Sequence, residues 1–292
     1  MKSKAWKEKA ARLIFTGASS TAILIVLLIF LFLFKEALPF IKDPGISKLF
    51  DTSWRPVSFQ GESYGIIPLI TGSFLVTVLA TVIAVPFGVI GAVYISEVSR
   101  KYEREFLKPF IELLAGIPSV VIGFFGLIVL APFIKAVFGL QSGLTALTGA
   151  LLLALMAIPT IISISEDAIN SVPSTFKEAS YAVGASRLQT IWKVTVPASI
   201  SGITAAVMLG MGRVIGETMA VLMVTGNAAI VTLSPFESVR TMTATIAAEM
   251  GEVPFGSEHY RALFWVGIVL LIITFGLNMI AQKVFSKYGG RQ

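Results

Sequence analysis

The sequence has no cysteine, a single histidine and few charged residues, which make up only 14% of its 292 positions. Without cysteine there can be no disulfide, no thiolate metal site and no cysteine nucleophile. One histidine, His259, leaves no cluster to hold a metal and no serine–histidine arrangement within the apolar runs, so no catalytic or metal-ligating residue is assigned. Also missing is any G-x-x-x-x-G-K-[ST] run, so a process driven by ATP would need another chain to hydrolyse it. The shortage of charge goes with 55% hydrophobic residues and a mean hydropathy of +0.84, far too apolar for a water-soluble domain of this size. The chain reads as an all-α integral membrane protein.

The formal charge of +6 would suggest a nucleic-acid partner if it were gathered in one place. It is spread instead along the flanks of the apolar runs, as in a membrane protein whose inner loops are basic, so lipid and not nucleic acid is the expected surrounding. Lys2, Lys4, Lys7, Lys9 and Arg12 precede an uncharged run from Leu13 to Phe34, which is long enough to span a bilayer. That run ends in Lys35-Glu36 with no small-residue cleavage site, so it reads as a retained first span and not a signal peptide. Further spans are expected at Ile66–Ile95, Pro109–Phe133, Leu144–Ile164, Ile200–Val224 and Tyr260–Ala281, six in all. Segments assigned to the inside hold about twice as many Lys and Arg as those outside, with Lys283, Lys287 and Arg291 closing the chain, which puts both termini in the cytoplasm. Residues 1–65 form an N-terminal part made of a cytoplasmic segment, the first span and an outer loop, in which Trp54 and Tyr64 are expected at the membrane interface. Residues 66–292 form the core. A short outer helix is expected from Ser238 to Met250. Gly116-Ile-Pro-Ser-Val-Val and Ala157-Ile-Pro-Thr-Ile-Ile look alike but are too short to establish a repeat.

The polar interval 165–198 between the fourth and fifth spans carries the most informative spacing. Val172-Pro173-Ser174-Thr175 reads as a helix opening, Gly184 as a break, and Ser186 as a second start. Leu188, Ile191, Trp192 and Thr195 fall on one helical face, and Pro197 is expected to end that helix. Glu178-Ala179-Ser180, three residues, Gly184, nine residues and Val194-x-Val196-Pro197 resemble the EAA loop of ABC importer permeases. Ser180 and the two valines depart conservatively from that pattern. The resemblance implies that Glu178, Ala179, Ser180, Gly184 and Pro197 couple the membrane domain to a separate ATPase. Glu178 is expected near a helix N-terminus, where unpaired N–H groups favour a carboxylate.

In the fifth span stands Gly212-Arg213-Val-Ile-Gly216-Glu217. A central arginine or acid costs about 2.5–3.5 kcal/mol to insert, so each should face protein or a water-filled path. Two readings stay open. Arg213 and Glu217 form an i, i+4 pair that only fixes packing, or they line an anion path, with the guanidinium fork gripping oxyanion oxygens. Gly212 with Gly216, and Ala206 with Gly210, are spaced for close helix packing.

The run Gly212 to Asn227, together with Arg240 to Gly251 and Gly116–Gly126, resembles the PstC family of phosphate-importer permeases, over about Tyr64–Ala281. That resemblance implies the six-span type I ABC importer (MetI-like) permease fold in the bacterial inner membrane. It implies a non-enzymatic subunit that moves inorganic phosphate inward. The implied partners are a PstA-like second permease, a PstB-like ATPase dimer holding ATP and Mg²⁺, and a PstS-like phosphate-binding protein. An importer for sulfate or molybdate, or an ion-coupled secondary carrier, are the competing readings.

Overall fold

The computed structural model describes residues 2–58 and 61–289; Arg291, counted above among the inner charges, lies outside them. Helix α1 (Lys2–Ala37) leads into an outer segment of short turns and a two-stranded ribbon, β1 (Trp54–Arg55) paired antiparallel with β2 (Ser63–Tyr64). Next come α2 (Ile67–Val93), extended by a π-turn to Val98, and α3 (Lys101–Ala115). The third span is built from α4 (Ser119–Phe125), a π-turn and α5 (Ala131–Phe138), and the fourth is α6 (Ala146–Asn170). The inner element holds α7 (Ser174–Ala182), α8 (Arg187–Thr190), a π-turn and α9 (Val196–Ala198). Then follow α10 (Ile200–Gly216), α11 (Met219–Val224), the outer α12 (Met242–Glu249) and α13 (Glu258–Gly289). Among the described residues five helices are long and apolar enough to cross a bilayer, and six if the pair bent by 69° at Ser199 supplies one.

Two spans and the outer helix differ from the expectation. Pro109–Ala115 belongs not to the third span but to α3, because Pro118 has no N–H and extended backbone (φ −59°, ψ 136°), which stops the helix ladder. Helix α3 is amphipathic. Tyr102, Phe106, Phe110 and Leu113 are exposed, with the Phe106 and Phe110 rings stacked at 6.2 Å, while Arg104 and Lys108 reach across to α6. The fifth crossing breaks after α10, since Glu217 is extended (φ −69°, ψ 134°) and the helix resumes only at Met219. The outer helix is shorter than expected, starting at Met242 because Thr241 caps it, its Oγ1 accepting from the Ala244 N–H at 3.3 Å.

Helix α6 is the hub, and its contacts run through small residues. Ile161 is buried between two glycines: a Cβ on Gly88 of α2 or on Gly210 of α10 would each stand 2.6 Å from its side chain. Ala206 is fully buried beside Gly210, as the spacing predicted. Gly212 and Gly216 are not packed this way, for an added Cβ at either would meet nothing within 4 Å. They fall on faces of α10 turned away from α6, so that close-packing assignment is corrected.

The outer segment is also more tightly built than an interfacial loop. Trp54 and Tyr64 are 3% and 1% exposed, packed with Phe40, Leu69, Met242 and Leu263, so they belong to a core and do not rest at the interface. The Trp54 indole donates to Glu249 at 3.0 Å, and the same carboxylate meets Arg240 and, at 2.8 Å, His259 Nε2. Burial, and then the Glu62 carboxylate that accepts from its hydroxyl, hold the Tyr64 pKa above the usual phenol range.

Gly210→Ala is expected to destabilise the helix bundle by about 1–3 kcal/mol, the usual cost of overpacking, and Gly212→Ala to be silent. Thermal unfolding of the detergent-solubilised chain checks this; equal effects would refute the Ile161 crossing as the tight contact.

Candidate functional site

Two regions carry chemistry, the inner element after α6 and the arginine in α10. At the inner element, Pro173 precedes α7 in extended conformation (φ −57°, ψ 137°), and Gly184 takes φ +85°, which a β-branched residue resists. Ser186 then caps α8 reciprocally with Gln189, its N–H donating to Gln189 Oε1 at 2.9 Å. The helix-turn-helix expected from the spacing is therefore present.

The serine standing where the EAA pattern has alanine joins the two short helices. Ser180 is buried and its Oγ lies 2.9 Å from Thr190 Oγ1, which also donates to the Ser186 carbonyl at 3.1 Å. Glu178 and Ala179 are exposed, and no hydrogen bond or ion pair joins the Glu178 carboxylate to another described residue. Glu178 is in the second turn of α7 and no acid occupies the first, so the helix N-terminus does not stabilise it; its freedom is that of an outward-pointing charge. The apolar stripe of the second helix is split. Ile191 and Thr195 are buried, Ile191 with Ala92, Val93, Ile169 and Ile203, while Leu188 and Trp192 point outward. Pro197 is exposed and does not end the helix: it lies in the first turn of α9, where its missing N–H is harmless, and the break comes at Ser199.

Sequence reasoning missed the anchor of this element. Lys177, before the turn, pairs with the Glu97 carboxylate, and Arg187, after it, donates to the Glu97 carbonyl, so both flanks of Gly184 are tied to the inner end of the second span. Ser96 Oγ donates to Asn170 Oδ1 at 2.8 Å, and Asn170 Nδ2 donates to Glu166 Oε1 at 2.6 Å. Buried Glu166 also holds Arg104 and, at 2.7 Å, Lys108, which has Asp167 at 2.8 Å. Hydrogen bonds to Asp167 and Glu166, in that order, raise the Lys108 pKa and keep it charged. Basic residues at 100–108 and acids near 166 were the available signal, but their pairing is not local.

Arg213 is half-buried in α10, beside the middle of α6. Its Nη1 donates to Thr160 Oγ1 and its Nη2 to the Ala115 carbonyl, each at 3.2 Å. Among the described residues no ion pair joins it to Glu217, which corrects the i, i+4 pairing: Glu217 has left the helix. Its Oε1 instead accepts from the Ala220 N–H at 3.3 Å at the start of α11, and its carbonyl accepts from Thr243 Oγ1 at 2.9 Å. The two Ile-Pro segments noted in the sequence both lie at Arg213's acceptors, since Ala115 adjoins Gly116-Ile-Pro-Ser and Thr160 belongs to Ala157-Ile-Pro-Thr.

Residues 84–287 match the family described as binding-protein-dependent transport system inner membrane component. The chain belongs to this family. This permease is 42% identical over 283 residues to a Bacillus subtilis protein named "Probable ABC transporter permease protein YqgH", covering 96% of this chain and 91% of that one. It is 35% identical over 266 residues to the phosphate transport system permease protein PstC of Mesorhizobium japonicum, covering 85% of this chain and 80% of that relative. Among solved structures it is similar to a bacterial alginate ABC transporter in complex with a pentasaccharide-bound periplasmic protein, with a TM-score of 0.66, 17% identity, and 96% and 98% of the two chains covered. It is also similar to the inward-facing MetNI methionine ABC transporter, with a TM-score of 0.57, 18% identity, and 77% and 94% covered. The fold is thus that of a type I ABC importer permease, a multi-pass inner-membrane protein.

In this permease the inner element presents an exposed carboxylate, Glu178, beside exposed Val183 and Leu188, on a turn whose shape depends on one glycine. An added side chain at Gly184 would meet nothing within 4 Å, so the cost of substitution is purely that of the left-handed backbone, about 1–2 kcal/mol. Gly184→Val is expected to lower solute moved per ATP hydrolysed without reducing membrane insertion, and Ser180→Ala to be tolerated because Thr190 keeps its bond to Ser186. Parallel uptake and ATPase assays on the assembled transporter check both; normal coupling in Gly184→Val would remove the turn from the coupling role.

Proposed function

We propose that this chain is a permease subunit of an ATP-driven importer that carries inorganic phosphate into the cell. It works beside a second, related permease, an ATPase dimer that holds ATP and Mg²⁺ itself and docks on the inner element, and a phosphate-binding protein on the outer face. The observation that carries the reading is the setting of Arg213. The Arg213 guanidinium, beside the middle of α6, has two neutral hydrogen-bond acceptors and, among the described residues, no carboxylate partner, so its charge is not spent on an internal pair there. Its planar fork matches the oxygens of a tetrahedral oxyanion in bidentate geometry. The name of the Mesorhizobium japonicum relative supports phosphate as that oxyanion. Glu217, at the broken end of α10, keeps the chain turned there by capping α11 and leaves the arginine unneutralised.

The role assigned to Arg213 predicts specific losses. Arg213→Lys keeps the charge and loses the fork, so phosphate uptake should fall by about tenfold or more, the equivalent of one lost charged hydrogen bond. Because Arg213 and Glu217 are not paired, Arg213→Gln with Glu217→Gln should be no better than Arg213→Gln alone. Labelled-phosphate uptake by vesicles carrying equal amounts of assembled transporter measures both. Recovery in the double variant would return the two charges to a packing role. Excess sulfate or molybdate should leave wild-type phosphate uptake unchanged, and inhibition by either would transfer the assignment to that anion.

A further inference from the structure

We infer that Thr160 is a positioning residue for Arg213, and that with the Ala115 carbonyl it forms a latch which an arriving oxyanion opens. The inference rests on the reading of the chain as a phosphate permease and adds to it how occupancy of the path is felt at the inner face.

Both bonds of the latch are 3.2 Å, at the long end for N–H···O, and both acceptors are neutral. Hydrogen bonds from guanidinium to an anionic oxygen are shorter and about twice as strong, so an oxyanion competes successfully for the same donors. The acceptors also sit on different elements. Thr160 is in the middle of continuous α6, whereas Ala115 is the last residue of α3, directly before the Gly116–Pro118 break. Carbonyls at a helix end need outside donors, and a cation there is favourable, so Arg213 caps α3 in two senses. Glu112, Leu113, Gly116 and Pro118 line an open hollow at this break to which no other described element contributes, so the end of α3 is not packed in on that side. When Arg213 turns to an anion, α3 loses its cap while α6 loses only one hydroxyl partner.

The other part of α3 is not free. Arg104 and Lys108 hold Glu166 and Asp167, Glu166 accepts from Asn170, and Asn170 accepts from Ser96, next to the Glu97 that anchors Lys177 and Arg187. A displacement of α3 is thus delivered, contact by contact, to both sides of the Gly184 turn.

The test uses the assembled transporter in lipid nanodiscs. Thr160→Val removes the acceptor at nearly constant volume, and Thr160→Ser keeps it. Thr160→Val is expected to raise ATPase activity in the absence of phosphate by about two- to tenfold and to lower the KM for phosphate by a similar factor, as for loss of one hydrogen bond. Thr160→Ser should behave as wild type. Because the chain has no cysteine of its own, nitroxides can be placed at Leu113→Cys and Leu155→Cys, two exposed positions on α3 and α6, with cysteine-free partners. Phosphate-loaded binding protein should change that distance in the otherwise wild-type transporter. An unchanged distance, or Thr160→Val with wild-type ATPase and KM, overturns the latch even if wild-type uptake of phosphate is normal. Absence of phosphate uptake by the wild type overturns the phosphate reading itself, and the latch falls with it.

Discussion

Ile161 sits between two glycines, and the arrangement of the membrane domain follows from that contact. Neither Gly88 nor Gly210 could carry even a methyl group without displacing it, so the backbones of α2 and α10 close directly on the Ile161 side chain of α6. In a bilayer the hydrophobic effect does not favour one apolar helix contact over a lipid contact, and close van der Waals approach through small residues has to supply the difference. The same approach sets Arg213, one turn beyond Gly210 on α10, opposite Thr160, the neighbour of Ile161 on α6. The functional geometry is in that sense a by-product of a packing requirement.

Breaks in the helices are the second organising feature, and only one of them, at Pro118, has a local backbone cause. Pro118 separates α3 from the third span, the extended Glu217 separates α10 from α11, and a 69° bend at Ser199 turns the inner element into the fifth crossing. Each break frees backbone groups that must find partners inside the protein. Arg213 serves one, the Glu217 carboxylate another, and Ser199 Oγ bonds back to the Thr195 carbonyl at 2.9 Å. Charged residues that look expensive when read as isolated membrane insertions are thus also the donors and acceptors that make irregular backbone tolerable.

At the inner face the ion pairs do a different task. Glu166 is buried under Arg104, Lys108 and Asn170, an arrangement that would be costly if any partner were removed and left the carboxylate alone. It ties an amphipathic helix to the hub helix, and Glu97 does the same for the two helices around Gly184. The surface left over is small and mixed: an unpaired carboxylate and a few apolar side chains on a rigidly anchored turn.

The sequence by itself determined the elements whose causes are local. Long uncharged runs place the spans, because transfer of apolar side chains into lipid depends on little beyond composition and length. Spacing placed Pro173, Gly184 and Ser186 at a helix start, a left-handed turn and a second cap, because each acts through its own backbone. Where a residue's role depends on which helix lies opposite, sequence reasoning failed. It left open whether Arg213 pairs with Glu217 across one turn, packed helices against Gly212 and Gly216, left Trp54 and Tyr64 at the membrane surface, and did not see Glu97 or Glu166 as anchors. Period and propensity say which face of a helix a residue occupies but not what meets that face. Only the tertiary structure decided that Glu217 leaves the helix and that Arg213 holds a threonine and a carbonyl, because both depend on contacts between segments far apart in the chain.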